Sequence, residues 1–408
     1  MPGGVNKTRD HAPDSTHLKT LRRIMCGELE MKRLSVIGLL FGAAWSVYAG
    51  VLVLIDQTPA GCETFEITGV TGTIGDGNTL TITGCGFGAN GPTLVIYDEF
   101  ELHGGASVDD EIDTTATVGS WTGGSAGGRA GGIPNYKAHP HSGSHSALGV
   151  EGYDNGGSWD ASPNAIVKVT AAPFHNIFWS FAVMVPDGYT FPGSTVEDAF
   201  PPSGSIWKMS WIYKTCCGVN DFVAYSHNNG SGHILSGNDV GGEYASNGWA
   251  FDVWNRFSFS YDWGPTNTGT MQIAHNVREG IGFNDDDTAP FTLEGGTSPY
   301  EMQRIEIPAW AGNNHGDWQD VRVVYDDVYV AIGDYANARV EIGDNATYKS
   351  STRLTFVTVE DASDWGDTQI EGTLRQQSFP DTFPGAQDLW LWVTKAGFPE
   401  TRTSYKIN

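Results

Sequence analysis

The feature that most restricts this chain is its repeated alternation of apolar and polar residues over strand-length runs. Ile177 to Val185 (IFWSFAVMV), Ser205 to Tyr213 (SIWKMSWIY), Trp254 to Trp263 (WNRFSFSYDW), Thr270 to Val277 (TMQIAHNV) and Val321 to Ile332 (VRVVYDDVYVAI) all read at period two. No helical periodicity extends beyond two turns. Turn-rich stretches such as Asn228 to Gly232 (NNGSG) separate the runs, and the 53 glycines fit many short connections. A period of two places alternate side chains on opposite faces of a sheet, so the expectation is an all-β chain. At 408 residues it is long enough for more than one packed core.

Two phrases at opposite ends of the chain belong together. Ile67 to Gly88 reads ITGVTGTIGDGNTLTITGCGFG, and Asp364 to Ile370 reads DWGDTQI, followed by LWLWVTKAG at Leu389 to Gly397. They resemble the opening and the later strand entry of one IPT/TIG immunoglobulin-like domain. The gap of roughly 250 residues is far beyond any loop of such a domain. The resemblance therefore implies a small immunoglobulin-like β-sandwich at 60–93 and 336–408, with a jelly-roll β-sandwich of the concanavalin-like or carbohydrate-binding-module type inserted at 94–335. Insertions succeed at exposed loops whose ends lie close together.

The first 49 residues read as processing sequence. Met31 opens a secretory signal over 31–49: Lys32 and Arg33 are its basic start, Leu34 to Ser46 its apolar middle, and Val47-Tyr48-Ala49 its cleavage site. Residues 1–30 carry no pattern and read as a non-native or disordered extension. Leu34 to Ile55 has no charge and is long enough to span a bilayer, so a retained anchor is the competing reading; after cleavage no membrane span is expected. The expected location is secreted or cell-surface. Export permits disulfides, and Cys62 with Cys85 is the first choice; adjacent Cys216 and Cys217 stay open between a vicinal bridge and free thiols. A formal charge of −25 excludes nucleic acid as a natural partner.

Alternation also sorts faces. Trp207, Met209, Trp211 and Tyr213 are expected in the core, as are Phe257, Phe259, Tyr261 and Trp263. The opposite faces carry Lys208, Lys214, Arg256, Gln272, Asn276 and Arg278. If their strands share a sheet, the result is a cationic, hydrogen-bonding surface on an acidic protein. That suits an anionic polysaccharide, whose carboxylates or sulfates pair with Arg and Lys. Trp121, Trp159, Trp249, Trp310 and Trp318 lie in Gly/Asn-rich stretches and are candidate stacking platforms for sugar rings. His139, His141 and His145 form a loop cluster better explained by turn chemistry than by metal.

Tyr97 to Glu101 (YDEFE) and Tyr325 to Val330 (YDDVYV) resemble the opening and closing phrases of carbohydrate-binding jelly rolls. That resemblance implies a structural Ca²⁺ where first and last strands meet, held by Glu101, Asp326 or Asp327, with Asp98 a possible addition. For catalysis, the inserted segment has no ExDxxE carboxylate pair, GxSxG elbow or HExxH helix. A polysaccharide lyase needs less: a base for the proton α to a carboxylate and groups that neutralise that carboxylate. Tyr225 and His227 alternate in one run, and with Arg256, Lys208 and Gln272 nearby would make such a set. Polysaccharide recognition is the first expectation, an eliminative lyase the second and a structural surface or filament role the third.

Overall fold

The structure is a computed structural model that describes residues 64–124, 134–137, 147–151, 166–184, 206–213, 222–227, 233–237, 254–262, 268–277, 284–285, 291–294, 302–307, 310–312, 322–351, 353–375 and 388–407. All of them lie in one unit, Thr58–Asn408. The extension, the signal segment, Leu34 to Ile55, Cys62, Lys214, Cys216, Cys217, Arg278, the histidine loop, and Trp159, Trp249, Trp263 and Trp318 lie outside the described residues. Among the described residues, no helix is long and apolar enough to cross a membrane.

The chain is all-β, a jelly-roll sandwich inserted into a smaller immunoglobulin-like one, and the described strands form three antiparallel sheets. The smaller sandwich, the mount, takes Glu66–Gly72 and Thr79–Cys85 from before the insertion. Arg339–Gly343, Leu354–Thr358, Gln369–Leu374, Leu389–Lys395 and Thr401–Ile407 come from after it. Thr79–Cys85 pairs directly with Gln369–Leu374, Ile82 opposite Ile370. Its two edge strands, Glu66–Gly72 and Thr401–Ile407, return beside each other, so the sheet nearly closes. The apolar members of the alternation, among them Leu80, Ile82, Val340, Ile342, Ile370, Leu391 and Val393, fill its core.

The two end phrases lock onto each other residue by residue. Gly84 N donates to Thr368 O at 3.0 Å, Phe87 N donates to Asp367 O at 3.1 Å, and Gly88 N donates to the Asp367 carboxylate at 3.0 Å. Trp365 is buried and its indole N–H donates to Phe87 O at 3.3 Å. Gly91 is required beneath that ring, because a Cβ there would stand 2.6 Å from Trp365. Cys85 is disulfide-bonded.

Among the described residues the inserted sandwich has an inner sheet of ten strands and an outer sheet of seven. Centrally the inner sheet runs Thr268–Val277, Trp254–Asp262, Asn176–Met184, Arg322–Ile332 and Thr93–Asp98. The outer sheet runs His233–Gly237, Phe222–His227, Ile206–Tyr213, Met302–Ile307, Ile166–Phe174 and Gly123–Gly124, with Trp310–Gly312 also paired to Ile206–Tyr213. Between the sheets lies a core that includes Trp179, Phe181, Phe257, Phe259, Tyr261, Ile212, Ile305 and Ile307. Trp179 and Phe259 stack at 4.7 Å between ring centroids. The strands Asn176–Met184 and Trp254–Asp262 are buried on both faces, with only their end residues partly exposed. One face is covered by the outer sheet and the other by the mount.

Candidate functional site

Each sheet of the inserted sandwich has one face turned away from the shared core, and these two faces are the places where chemistry could sit. On the inner sheet, Phe257, Phe259 and Tyr261 point into the core as the alternation predicts. The intervening Arg256, Ser258 and Ser260 are buried, Arg256 and Ser260 against the mount and Ser258 against Ser180. Arg256 is 4 % exposed. Its Nε donates to Ser180 Oγ at 3.1 Å, one terminal nitrogen to Leu354 O at 3.3 Å and the other to Glu341 Oε1 at 3.3 Å. The guanidinium also lies 4.2 Å from the centre of the Phe356 ring.

Glu341 is shared further. Arg339 Nε donates to its Oε2 at 2.9 Å, and Tyr348 Oη donates to the same oxygen at 2.7 Å. Arg339 then grips Glu400 with both terminal nitrogens at 2.8 Å each, while Ser260 Oγ donates to Glu400 at 3.0 Å. Arg402 pairs with the same carboxylate. Burial by itself would raise the Glu400 carboxyl, but Arg339 and Arg402 beside it, with the hydrogen bonds from Arg339 and Ser260, outweigh that and hold it at about 2. Gln272 and Ala274 lie on this face, and Ala274 packs with Tyr348, Leu354 and Trp392 of the mount. A buried ionic network of this kind fixes one body on another, and among the described residues it covers Arg256, Ser260 and Ala274.

Two expectations are corrected by this placement. Arg256 does not share a sheet with Lys208: Arg256, Gln272 and Asn276 belong to the inner sheet, Lys208, Tyr225 and His227 to the outer. The proposed cationic face is therefore not one surface, and Arg256 and Gln272 cannot complete a set with Tyr225 and His227. Trp121, expected as an exposed platform, is a core residue at 3 % exposure, stacked on Phe100 and donating its N–H to Asp98 Oδ2 at 2.6 Å.

The outer sheet departs from the simple alternation as well. A register shift between Lys208 and Ser210 inserts a bulge, so Ile212 enters the core and Ser210 Oγ accepts from the Trp179 N–H at 3.1 Å. Trp211, expected in the core, is only partly buried and faces outward. Cross-strand partners lie on the same face. Trp211 is opposite Glu306 on one side and Val223 on the other. Ile305 and Ile307 fill the core, so Arg304 and Glu306 lie on the outward face, joined as an ion pair with side chains 25 % and 5 % exposed. Farther along, the register sets Lys208 opposite Tyr225 on one neighbour and Trp310 on the other, and Ile206 opposite His227.

The YDEFE and YDDVYV phrases do pair, Val328 opposite Asp98. Their carboxylates are engaged with the fold. Asp98 accepts from Phe100 N at 2.9 Å and from Trp121, and Asp326 accepts from Asp327 N at 2.8 Å. Among the described residues no three His, Cys, Asp or Glu side chains come together as a metal site. Asp98 and Asp326 thus each hold a backbone amide of their own strand region, and Asp98 also holds the Trp121 indole.

Neither the mount-facing network nor the Arg304–Glu306 pair was singled out from sequence. The available signal was a charged pair two residues apart in an apolar run, Arg339-Val340-Glu341-Ile342 and Arg304-Ile305-Glu306-Ile307.

No protein-family model matches the chain, and no curated protein matches it. Solved structures with some likeness include the marine PL-14 alginate lyase from Aplysia kurodai, 11 % identical, covering 47 % of this chain and 84 % of that one at a TM-score of 0.32. The alginate lyase Aly36B is 12 % identical, covering 59 % and 97 % at 0.37. The endo-beta-1,4-glucuronan lyase from the fungus Trichoderma reesei is 14 % identical, covering 59 % and 96 % at 0.37. At these TM-scores the likeness carries no weight for this chain's chemistry.

Proposed function

We propose that the chain is a secreted or cell-surface protein that recognises an anionic polysaccharide on the outward face of its outer sheet. The observation that carries this is the difference between the two faces: the inner one packs on the mount through Arg256 and Ser260, while on the outer one Trp211 and Arg304 are partly exposed. An aromatic ring offers a stacking surface to a pyranose, and a guanidinium offers paired donors to a carboxylate. The disulfide at Cys85 supports an oxidising compartment. The mount is best read as an IPT/TIG-like domain, on the strength of its interlocked end phrases.

The register of Lys208 against Tyr225 favours a second reading, an eliminative lyase. In that reaction a base such as the Tyr225 phenolate takes the proton α to a uronate carboxylate, with Lys208 offsetting the charge that builds on the carboxylate. The carbon–oxygen bond to the leaving sugar breaks, a double bond forms within the ring, and a proton goes to the departing oxygen. Incubation with alginate, pectin or glucuronan separates the readings. Rising ultraviolet absorbance identifies elimination; retarded migration in a polymer-containing gel without absorbance identifies binding. Neither effect with any of the three removes both.

A further inference from the structure

We propose that Trp310 is a stacking platform for the polymer on this face, working beside Lys208, which answers the carboxylates of a uronate chain. The inference rests on the polysaccharide reading and deepens it, naming a recognition residue and a substrate class.

The placement follows from register. Ser210 Oγ accepts from the N–H of the core residue Trp179, so Ser210 and its cross-strand partner Ala224 lie on the core face. Tyr225, next along that strand, therefore falls on the outward face. Lys208 is opposite Tyr225 and falls there with it. Trp310 is opposite Lys208 on the other side. One outward row thus crosses three strands as Trp310, Lys208 and Tyr225. Strands stand about 4.8 Å apart, so the ends of the row are about 10 Å from each other and Trp310 is one strand from the lysine. The bulge between Lys208 and Ser210 sits at the centre of the row, and bulges recur beside functional sites. Gly312 shares the outward face opposite Ile206 and adds no side chain beside Trp310.

The chemistry of the row explains why an aromatic ring belongs in it. The chain carries −25 overall, which repels any polyanion at long range. A single lysine on such a surface gives only a modest, screened attraction. An indole adds a contact that does not depend on charge, because its broad apolar face meets the C–H side of a pyranose. Beyond the lysine, a phenol adds a hydrogen-bonding hydroxyl. A uronate chain lying across the strands meets all three groups in turn, and the ring beside the cation supplies the part of the attraction that the net charge cannot oppose.

The test uses gel retardation of the full chain by alginate, polygalacturonate and glucuronan, each compared with its methyl ester. Wild type should bind at least one uronate polymer and bind its ester more weakly. Trp310→Ala, its folding checked by thermal melting, should lose about three- to tenfold in affinity, the size an aromatic contact supplies. That loss should fall on acid and ester alike and hold from 0.1 M to 1 M salt, since stacking is not screened. Lys208→Gln should instead lose about two- to threefold on the acid form alone. Trp310→Phe should recover part of the binding because it keeps a ring, and Trp310→Leu should recover none; this pair also decides the matter if Trp310→Ala does not fold. A folded Trp310→Ala that binds as wild type does would overturn the proposal while leaving polysaccharide recognition standing. So would a leucine variant that binds as well as the phenylalanine one, which would reduce Trp310 to packing, or a wild type that binds acid and ester equally. A wild type that binds none of the polymers removes the recognition reading and this proposal together.

Discussion

Arg256 and Arg304 occupy similar strands and similar electrostatic settings, and their fates differ. Each stands on a strand whose alternate residues fill the core between the two sheets, and each is paired with a glutamate. The side chain of Arg256 is 5 % exposed and its partner Glu341 belongs to the mount, 85 residues away in sequence. Arg304 is 25 % exposed and its partner Glu306 is its own neighbour. What distinguishes them is the second layer. The mount brings Glu341, Phe356 and the Leu354 carbonyl over Arg256, turning a polar sheet face into an interior. A residue's role is thereby set by what covers the sheet, which the strand carrying it does not encode.

The largest expected effect comes from breaking the covered pair. Glu341→Gln leaves both Arg256 and Arg339 short of a buried countercharge, and loss of one member of a buried ion pair costs roughly 3–5 kcal/mol. Urea unfolding should show the loss as a lowered midpoint. Glycan retention by the protein that remains folded should be unchanged, because this face does not meet a ligand. Arg256→Met with near-normal stability but abolished retention would reverse the assignment of the two faces.

Acid should reach the same network through Glu400. Its carboxyl is held at about 2 when folded, below the ordinary value of 4.5. A depressed acid contributes stability that is fully present above the unfolded pKa and disappears as pH falls through the folded one. Stability should therefore decline between about pH 5 and pH 2, with Glu400 responsible for on the order of 3 kcal/mol at most. In Glu400→Gln that limb should be flatter, at the expense of lower stability at neutral pH. An identical pH profile in wild type and variant would show that Glu400 is not held by Arg339 and Arg402 in solution.

A smaller loss separates core from platform. Trp121→Phe keeps the stack on Phe100 and removes the donor to buried Asp98, which costs about 1–3 kcal/mol. It should leave glycan retention intact. A lost ligand with unchanged melting would restore Trp121 to the binding surface.

The fold was legible because its signals are local and periodic. Phe257, Phe259 and Tyr261 announced a buried face by alternation, and the phrases around Phe87 and Trp365 announced a shared domain by their wording. The meeting of the strands that carry YDEFE and YDDVYV was legible in the same way, though not their register, Val328 opposite Asp98. The site was legible only in part. The register shift at Lys208/Ser210 reversed the parity of Ile212 and Trp211, and one inserted residue leaves no mark in an alternating pattern. Trp121 lay in a glycine-rich stretch whose composition suggests exposure, yet its indole found a buried acid 23 residues away. Arg256 looked like a solvated cation because the covering glutamate belongs to another part of the chain. Long-range covering of this kind is a property of tertiary packing, and period-two reasoning is blind to it.

The smallest effect concerns the outward face of the outer sheet. Lys208→Glu should change stability little. If Lys208 contributes to polymer recognition, reversal removes an attraction and adds a repulsion, and an exposed ion pair of ordinary strength implies a loss of about fivefold in affinity. Salt gives the sharper readout. Exposed charges are screened over about 10 Å at 0.1 M and about 3 Å at 1 M, so the gap between wild type and Lys208→Glu should narrow as salt rises. A gap between wild type and Lys208→Glu that stays the same from 0.1 M to 1 M salt would mean that Lys208 does not act on the polymer by diffuse attraction, and its place on the recognising face would have to be abandoned.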